Sequence, residues 1–157
     1  MEQTLVLIKP DGIQRGLVGE ISSRFERKGL KIIGIKMVRL DEEILKEHYS
    51  HIADKPFFSG TAKFMKSTPV IAMVLEGLEC VEAVRLLCGI TNARKADAGS
   101  IRGDLAMSIQ CNVVHASDSE ETAKKEVARF FSKEEIFSYS KDEYMHIYAD
   151  DERNGAK

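Results

Sequence analysis

Cysteine is scarce in this chain and poorly spaced for metal work. Three occur in 157 residues, Cys80, Cys88 and Cys111. An odd count with no C-x-x-C pair argues against a disulfide framework or a cysteine zinc site, and a reducing interior suits it best. Long apolar runs are missing too. No segment approaches the ~20 apolar residues of a membrane span. The opening stretch MEQTLVLIKPDG lacks the basic start and long apolar core of a signal peptide, so a cytoplasmic protein without membrane contact is expected. Nor is there an excess of positive charge. The formal net charge is −2, which argues against a dedicated nucleic-acid binder but leaves room for a local basic cleft. No repeat, low-complexity tract or interdomain linker interrupts the chain. Residues 1–157 are therefore expected to form one domain, with a polar, frayed tail from about residue 149.

The common phosphate-binding and catalytic signatures are also absent. There is no G-x-x-x-x-G-K-[ST], no G-x-G-x-x-G, and no H-R-D paired with D-F-G. No G-x-S-x-G elbow occurs, and Ser117, Asp118 and His115 crowd into four positions, whereas hydrolase triads converge from separate segments. If the chain handles nucleotides, individual cations must replace a glycine cradle. A non-catalytic RNA- or protein-binding module is the alternative reading. Against it, Lys31 to Val38 reads as a strand with no aromatic side chain for stacking on RNA.

What is present reads as alternating strands and helices. Thr4 to Ile8 suggests a buried strand stopped by a turn at Lys9-Pro10-Asp11-Gly12. Gly19 to Lys28 suggests a helix closed by Gly29. Lys31 to Val38 and Val70 to Leu75 are rich in β-branched residues. Asp41 can cap a helix running to His48, and Val81, Val84 and Cys88 form one helical stripe. A short fourth strand is expected to end near His115, before a final helix at about Glu120 to Phe131. This order predicts an α/β (α+β) sandwich: a ferredoxin-like β-α-β-β-α-β antiparallel sheet with helices packed on it. Gly89 to Asn112 shows little periodicity and carries three glycines. Loops of that length in compact domains are usually functional or disordered.

His115 stands where a strand meets a helix, and helix N-termini attract anions. Asp118 with Glu121 suggests a capping-box-like start for that helix. On a helical wheel Glu126 flanks the stripe of Ala123, Val127 and Phe130, where a carboxylate could turn inward and fix the tautomer of His115. A free imidazole titrates near about 6.5, and only its neutral form has a lone pair to attack with. Lys9, Arg85 and Arg102 are the candidate phosphate cations, meaningful only if the fold converges them. His48 and His51 lie three apart, but no cysteine or third histidine is near them in sequence, and exposed histidines at helix ends are common. Phe57 and Phe58 are core candidates, and an exposed one would serve as a base-stacking platform.

The run Asn112-Val113-Val114-His115-Ala116-Ser117-Asp118-Ser119 resembles the active-site signature of nucleoside diphosphate kinases. IKPDGIQRGLVGEI, LKEHYS, KPFFSG, TNAR, SIRGD and KKEVARFF match further motifs of that family in order, over residues 3 to 148. The resemblance implies a ping-pong phosphotransferase. The γ-phosphoryl of a nucleoside triphosphate, usually ATP, would move onto Nδ1 of His115 and then to any nucleoside diphosphate. It further implies that Lys9 contacts the phosphates and the ribose 3′-hydroxyl and that Tyr49 hydrogen-bonds within the phosphate site. By the same likeness Phe57 stacks the base, Arg85, Thr91 and Arg102 hold the phosphates, and Asn112 reaches the ribose hydroxyls. Ser117 and Glu126 would orient the histidine, and Asp118 would assist an Mg²⁺ carried mainly by the nucleotide. ATP, GTP, other triphosphates and their deoxy forms would all serve, in a homohexamer or homotetramer built from dimers.

The chain departs from the family pattern at four places. Ala116 replaces a commoner glycine, which is tolerable if φ is negative there. Thr61 replaces a larger apolar residue near the base. Ala93 and Ala98 replace prolines that stiffen the long loop, which contributes to subunit contacts in the family's hexamers.

Overall fold

The computed structural model describes residues 1–155. Four strands, β1 (Glu2–Ile8), β2 (Lys31–Val38), β3 (Val70–Gly77) and β4 (Val114–Ala116), form one sheet in the order β2-β3-β1-β4. Every neighbouring pair is antiparallel. This is the split-βαβ arrangement expected from the element order. The central strand β1 buries every residue from Thr4 onward, which its short continuous apolar run requires.

Alternation along β1 divides the interior in two. Val6 and Ile8 join Ile21, Phe25 and Val84 on one face, beneath α2 (Val18–Arg27) and α5 (Cys80–Cys88). Leu5 and Leu7 join Leu45, Met65, Val127 and Phe130 on the other. That second face is covered by α3 (Glu42–His48), α4 (Phe58–Met65) and α7 (Glu120–Phe130). His115 pairs with Leu7 across β4, so its side chain emerges on the second face, toward α3 and α7.

The local signals explain most boundaries. Asp41 accepts from the Ile44 N–H at 2.8 Å and caps α3. Gly29 ends α2 with φ +98°, a conformation open chiefly to glycine.

Several expectations need correction. Pro10 to Gln14 is a helical turn, α1, not a simple turn: proline at the first helical position has its φ already set. The helix α4 was not anticipated, although Phe58, Ala62 and Met65 bury at helical spacing. The long irregular stretch contains a 3₁₀ turn at Ala93–Lys95 and α6 (Ile101–Leu105), capped by Ser100. α7 is not the last helix. Short helices α8 (Tyr144–Ile147) and α9 (Asp150–Gly155) follow, so the tail is helical from Asp150 to Gly155, and residues 156–157 lie outside the described residues.

Candidate active site

A cleft of about 1000 Å³ opens on the side of the sheet to which His115 points. It is lined by residues from α3, α4, α5, α7 and the loop before β4, all within reach of the imidazole's end of the sheet. Lys9, Tyr49, Phe57, Arg85, Thr91, Arg102, Asn112, His115, Asp118 and Glu126 all line it. Ser117 lies behind this wall, fully buried.

The histidine is held from one side only. Both carboxylate oxygens of Glu126 lie 3.1 Å from Nε2 of His115. The Ser117 hydroxyl donates to Glu126 at 2.6 Å, and Ser117 Oγ accepts from the Leu5 N–H at 3.4 Å. A carboxylate accepts, so the proton sits on Nε2 and Nδ1 keeps its lone pair. Among the described residues no group hydrogen-bonds Nδ1. Burial works against the charge on Glu126, yet the hydrogen bond from His115, the adjacent imidazoles and the Ser117 hydroxyl hold its carboxyl below the usual carboxylate range. Its helix neighbours explain how it is free to do so. Lys124 and Lys125 pair backward with Glu120 and Glu121, leaving Glu126 to the interior.

The backbone that carries His115 is strained. Val113, β-branched and fully buried, has φ +62°, and the Val114 N–H donates to Asn112 O at 2.8 Å. That is a γ-turn of the rare, positive-φ kind. Such a conformation costs of order 1–3 kcal/mol and persists only where surroundings over-determine it. Here the Val113 N–H donates to Asp11 Oδ2 at 3.0 Å, and Val113 O accepts from the Lys9 N–H at 2.9 Å. The start of α1 thus clamps the strand from which the imidazole projects. Asp11 was not singled out from sequence, and no local signal marks it.

Lys9 is the most buried cation of the cleft, 8% exposed. Its Nζ donates to Gln110 O and, at 2.8 Å, to Asn112 Oδ1. Burial pulls its pKa down to about 8, against the opposing pull of Asp11. Asn112 in turn donates to Thr91 O and Ile109 O, both at 2.9 Å, so Lys9, Asn112 and Thr91 form one tied unit. Arg102 donates to Gly89 O and Val114 O, which fixes its guanidinium against the loop, and burial lowers its pKa. Arg85 is exposed and has no ion-pair partner among the described residues. Tyr49 is pushed well above the ordinary phenol range by burial, so it is a neutral O–H donor. Phe57 is 59% exposed while Phe58 is buried, which resolves which ring is available to a planar ligand.

Two expectations fail here. Ser119, not Asp118, caps α7, accepting from the Thr122 N–H at 3.1 Å. Asp118 is left exposed on the cleft wall. His48 is no surface histidine: it is 5% exposed, edge-on to His115 with ring centroids 4.4 Å apart. Leu45 and His48 lie one helical turn apart on the buried stripe of α3, a spacing that could have revealed it. Arg94 also lines the cleft and was missed.

A family model described as "Nucleoside diphosphate kinase" matches residues 2–136. The chain belongs to the nucleoside diphosphate kinase family. A nucleoside diphosphate kinase of Parabacteroides distasonis is 53% identical over 152 residues, covering 97% of this chain and 99% of that protein. Nucleoside diphosphate kinase A of Rattus norvegicus is 48% identical over 147 residues, covering 94% and 97%. Among solved structures, a Halobacterium salinarum nucleoside diphosphate kinase in complex with CDP superposes with a TM-score of 0.92 at 45% identity, covering 94% of this chain and 99% of that one. A Borrelia burgdorferi nucleoside-diphosphate kinase, a transition-state mimic with bound vanadate and ADP, gives 0.86 at 38% identity, covering 92% and 95%. Within this family's frame, Ala116 lies outside the positive-φ region, so its departure from glycine carries no backbone strain. Thr61 lines the cleft beside Phe57.

Proposed function

We propose that the chain is a nucleoside diphosphate kinase that moves a phosphoryl group between nucleotides through a phosphohistidine on His115. The observation that carries this reading is the one-sided hold on the imidazole. Glu126 takes Nε2, and the remaining lone pair, on Nδ1, belongs to a ring that lines the cationic cleft.

The base of the donor lies against Phe57. Its phosphates run inward between Arg85, Arg102 and Lys9, with Thr91 and Tyr49 offering hydroxyl donors and Asn112 reaching the ribose. Nδ1 attacks the γ-phosphorus in line. The P–N bond forms as the bond to the β,γ-bridging oxygen breaks, and that oxygen leaves on the nucleoside diphosphate. The transition state is loose, so positioning and charge stabilisation supply most of the acceleration. Glu126 stays ionised and stabilises the positive charge that grows on the ring. A second diphosphate then attacks the phosphohistidine by the reverse path. Both half-reactions exchange similar bonds, so the transfer is near balance.

Magnesium fits this site as a passenger of the nucleotide. Asp118 presents a single exposed carboxylate without an ion-pair partner among the described residues, and Mg²⁺ commonly takes one or two carboxylates plus phosphate oxygens. When bound, the ion neutralises phosphate charge.

Incubation with γ-labelled ATP and magnesium should leave label on the protein that is acid-labile and base-stable, and that discharges onto added nucleoside diphosphate. Label that resists acid, or that stays on the protein when diphosphate is supplied, would sink the reading. Stacking is blind to base identity because every base has a π-face. Phe57→Ala is accordingly expected to weaken nucleotide binding by about 1–3 kcal/mol for all bases alike. Steady-state KM values for ATP, GTP and CTP check this, and a loss confined to one base would contradict it.

The same reading assigns residues 1–157 to one catalytic domain acting in the cytoplasm. Among the described residues no helix is long and apolar enough to cross a membrane. Assembly into a homohexamer or homotetramer from dimers is supported by the apolar side chains of Ile35 and Met37, more than half exposed on the edge strand β2.

A further inference from the structure

His48, His115 and Glu126 come from three separate elements, α3, β4 and α7, yet each presents a ligand atom within 4.8 Å of the other two. Glu126 Oε1 is the hub. It lies 3.1 Å from Nε2 of His115 and 3.4 Å from Nδ1 of His48. Tetrahedral zinc with bonds of about 2.0–2.1 Å needs ligand atoms about 3.3 Å apart. Two edges of such a site already have that length. The other ring nitrogen of His48, Nε2, has no hydrogen-bond partner, so no bond there fixes the tautomer and Nδ1 is able to present a lone pair.

We propose that His48, His115 and Glu126 form a binding site for a divalent transition cation of zinc-like chemistry, and that its occupancy silences His115. Two imidazoles and one carboxylate are the donor set that zinc and its first-row neighbours take, whereas magnesium prefers oxygen. The site is therefore distinct from the substrate's own ion.

The silencing rests on the phosphohistidine reading and follows from proton counting. In the metal-free ring the proton is on Nε2 and the lone pair on Nδ1. A cation on Nε2 needs the lone pair there, so the single ring proton moves to Nδ1. No proton is lost, but the nucleophilic atom no longer has electrons to attack with. Arg129 opposes the cation, its Nη1 being 3.4 Å from His48 Nδ1, although Glu47 at 2.9 Å neutralises part of its charge.

Cobalt(II) serves as the probe, because its visible absorption reports coordination number and ligand type independently of activity. Titration of the nucleotide-free protein should give one tetrahedral Co²⁺ per chain without a thiolate charge-transfer band, displaced by Zn²⁺. His48→Gln should weaken that binding by about tenfold or more, since even indirect partners of metal ligands cost that much. Should His48→Gln fold poorly, Arg129→Gln provides the opposite test and should tighten binding roughly three- to tenfold. No bound Co²⁺, a thiolate band from Cys111, or unchanged affinity in both variants would overturn the site. Zinc should block phosphoryl labelling in proportion to occupancy, and labelling that persists on the zinc-loaded protein would overturn the silencing. Failure of the kinase reading shows separately, as an absence of labelling with magnesium alone in metal-free buffer.

Discussion

His115→Ala lowers turnover by at least about 10⁴-fold, because effective molarities of well-oriented groups reach roughly 10⁵–10⁸ M and all of that advantage is lost. Without the ring no covalent intermediate forms, and the phosphoryl group would have to pass directly between two nucleotides. Nucleotide affinity should change little. Phe57, Lys9, Arg85 and Arg102 reach the cleft from other elements and keep their places. The variant should also keep its fold, since the imidazole is half-buried in the middle of a three-residue strand whose packing side chain is Val114. A coupled steady-state assay with equilibrium nucleotide binding checks both halves. Activity within about tenfold of the parent would mean that the phosphoryl group never rests on His115.

Lys9→Ala is expected to lower kcat/KM by about 10²–10³-fold, the usual loss for one preorganised charge-stabilising donor. The parent enzyme offers a check on the same group that needs no mutation. Burial lowers the Lys9 pKa from 10.5 to about 8, so its charge is present below that pH and lost above it. The profile of kcat/KM, which reports the free enzyme, should fall as pH rises through about 8. That of kcat should fall at higher pH, because bound phosphates favour the charged form. In Lys9→Arg the guanidinium stays charged and this limb should vanish, even though the planar fork fits the pocket poorly and the rate drops. Stability moves the other way. Between pH 8 and 10.5 the unfolded chain holds a proton that folded Lys9 has given up, so the Lys9 contribution to stability rises with pH. Urea midpoints of the parent and Lys9→Met across that range check the sign. A limb that persists in Lys9→Arg would assign the titration to another group.

Sequence by itself determined what depends on neighbours in the chain. The β-branched runs at Lys31–Val38 and Val70–Leu75, the Asp41 cap and the inward stripe of α7 are local patterns, so the succession of elements and the inward turn of Glu126 could be read from them. The likeness at Asn112–Ser119 then attached the roles. Tertiary structure alone decided what depends on contacts between segments more than a few helical turns apart in the chain. Asp11 reaches forward to clamp Val113, Lys9 reaches forward to Asn112, and Gly89 O in one part of the long loop fixes Arg102 in another. His48 meets His115 only because α3 and β4 pack on the same face of the sheet. The physical reason is the same each time. Periodicity and caps act over one or two turns of chain, whereas the position of a charge or a lone pair in space is set by how the two faces of β1 are covered.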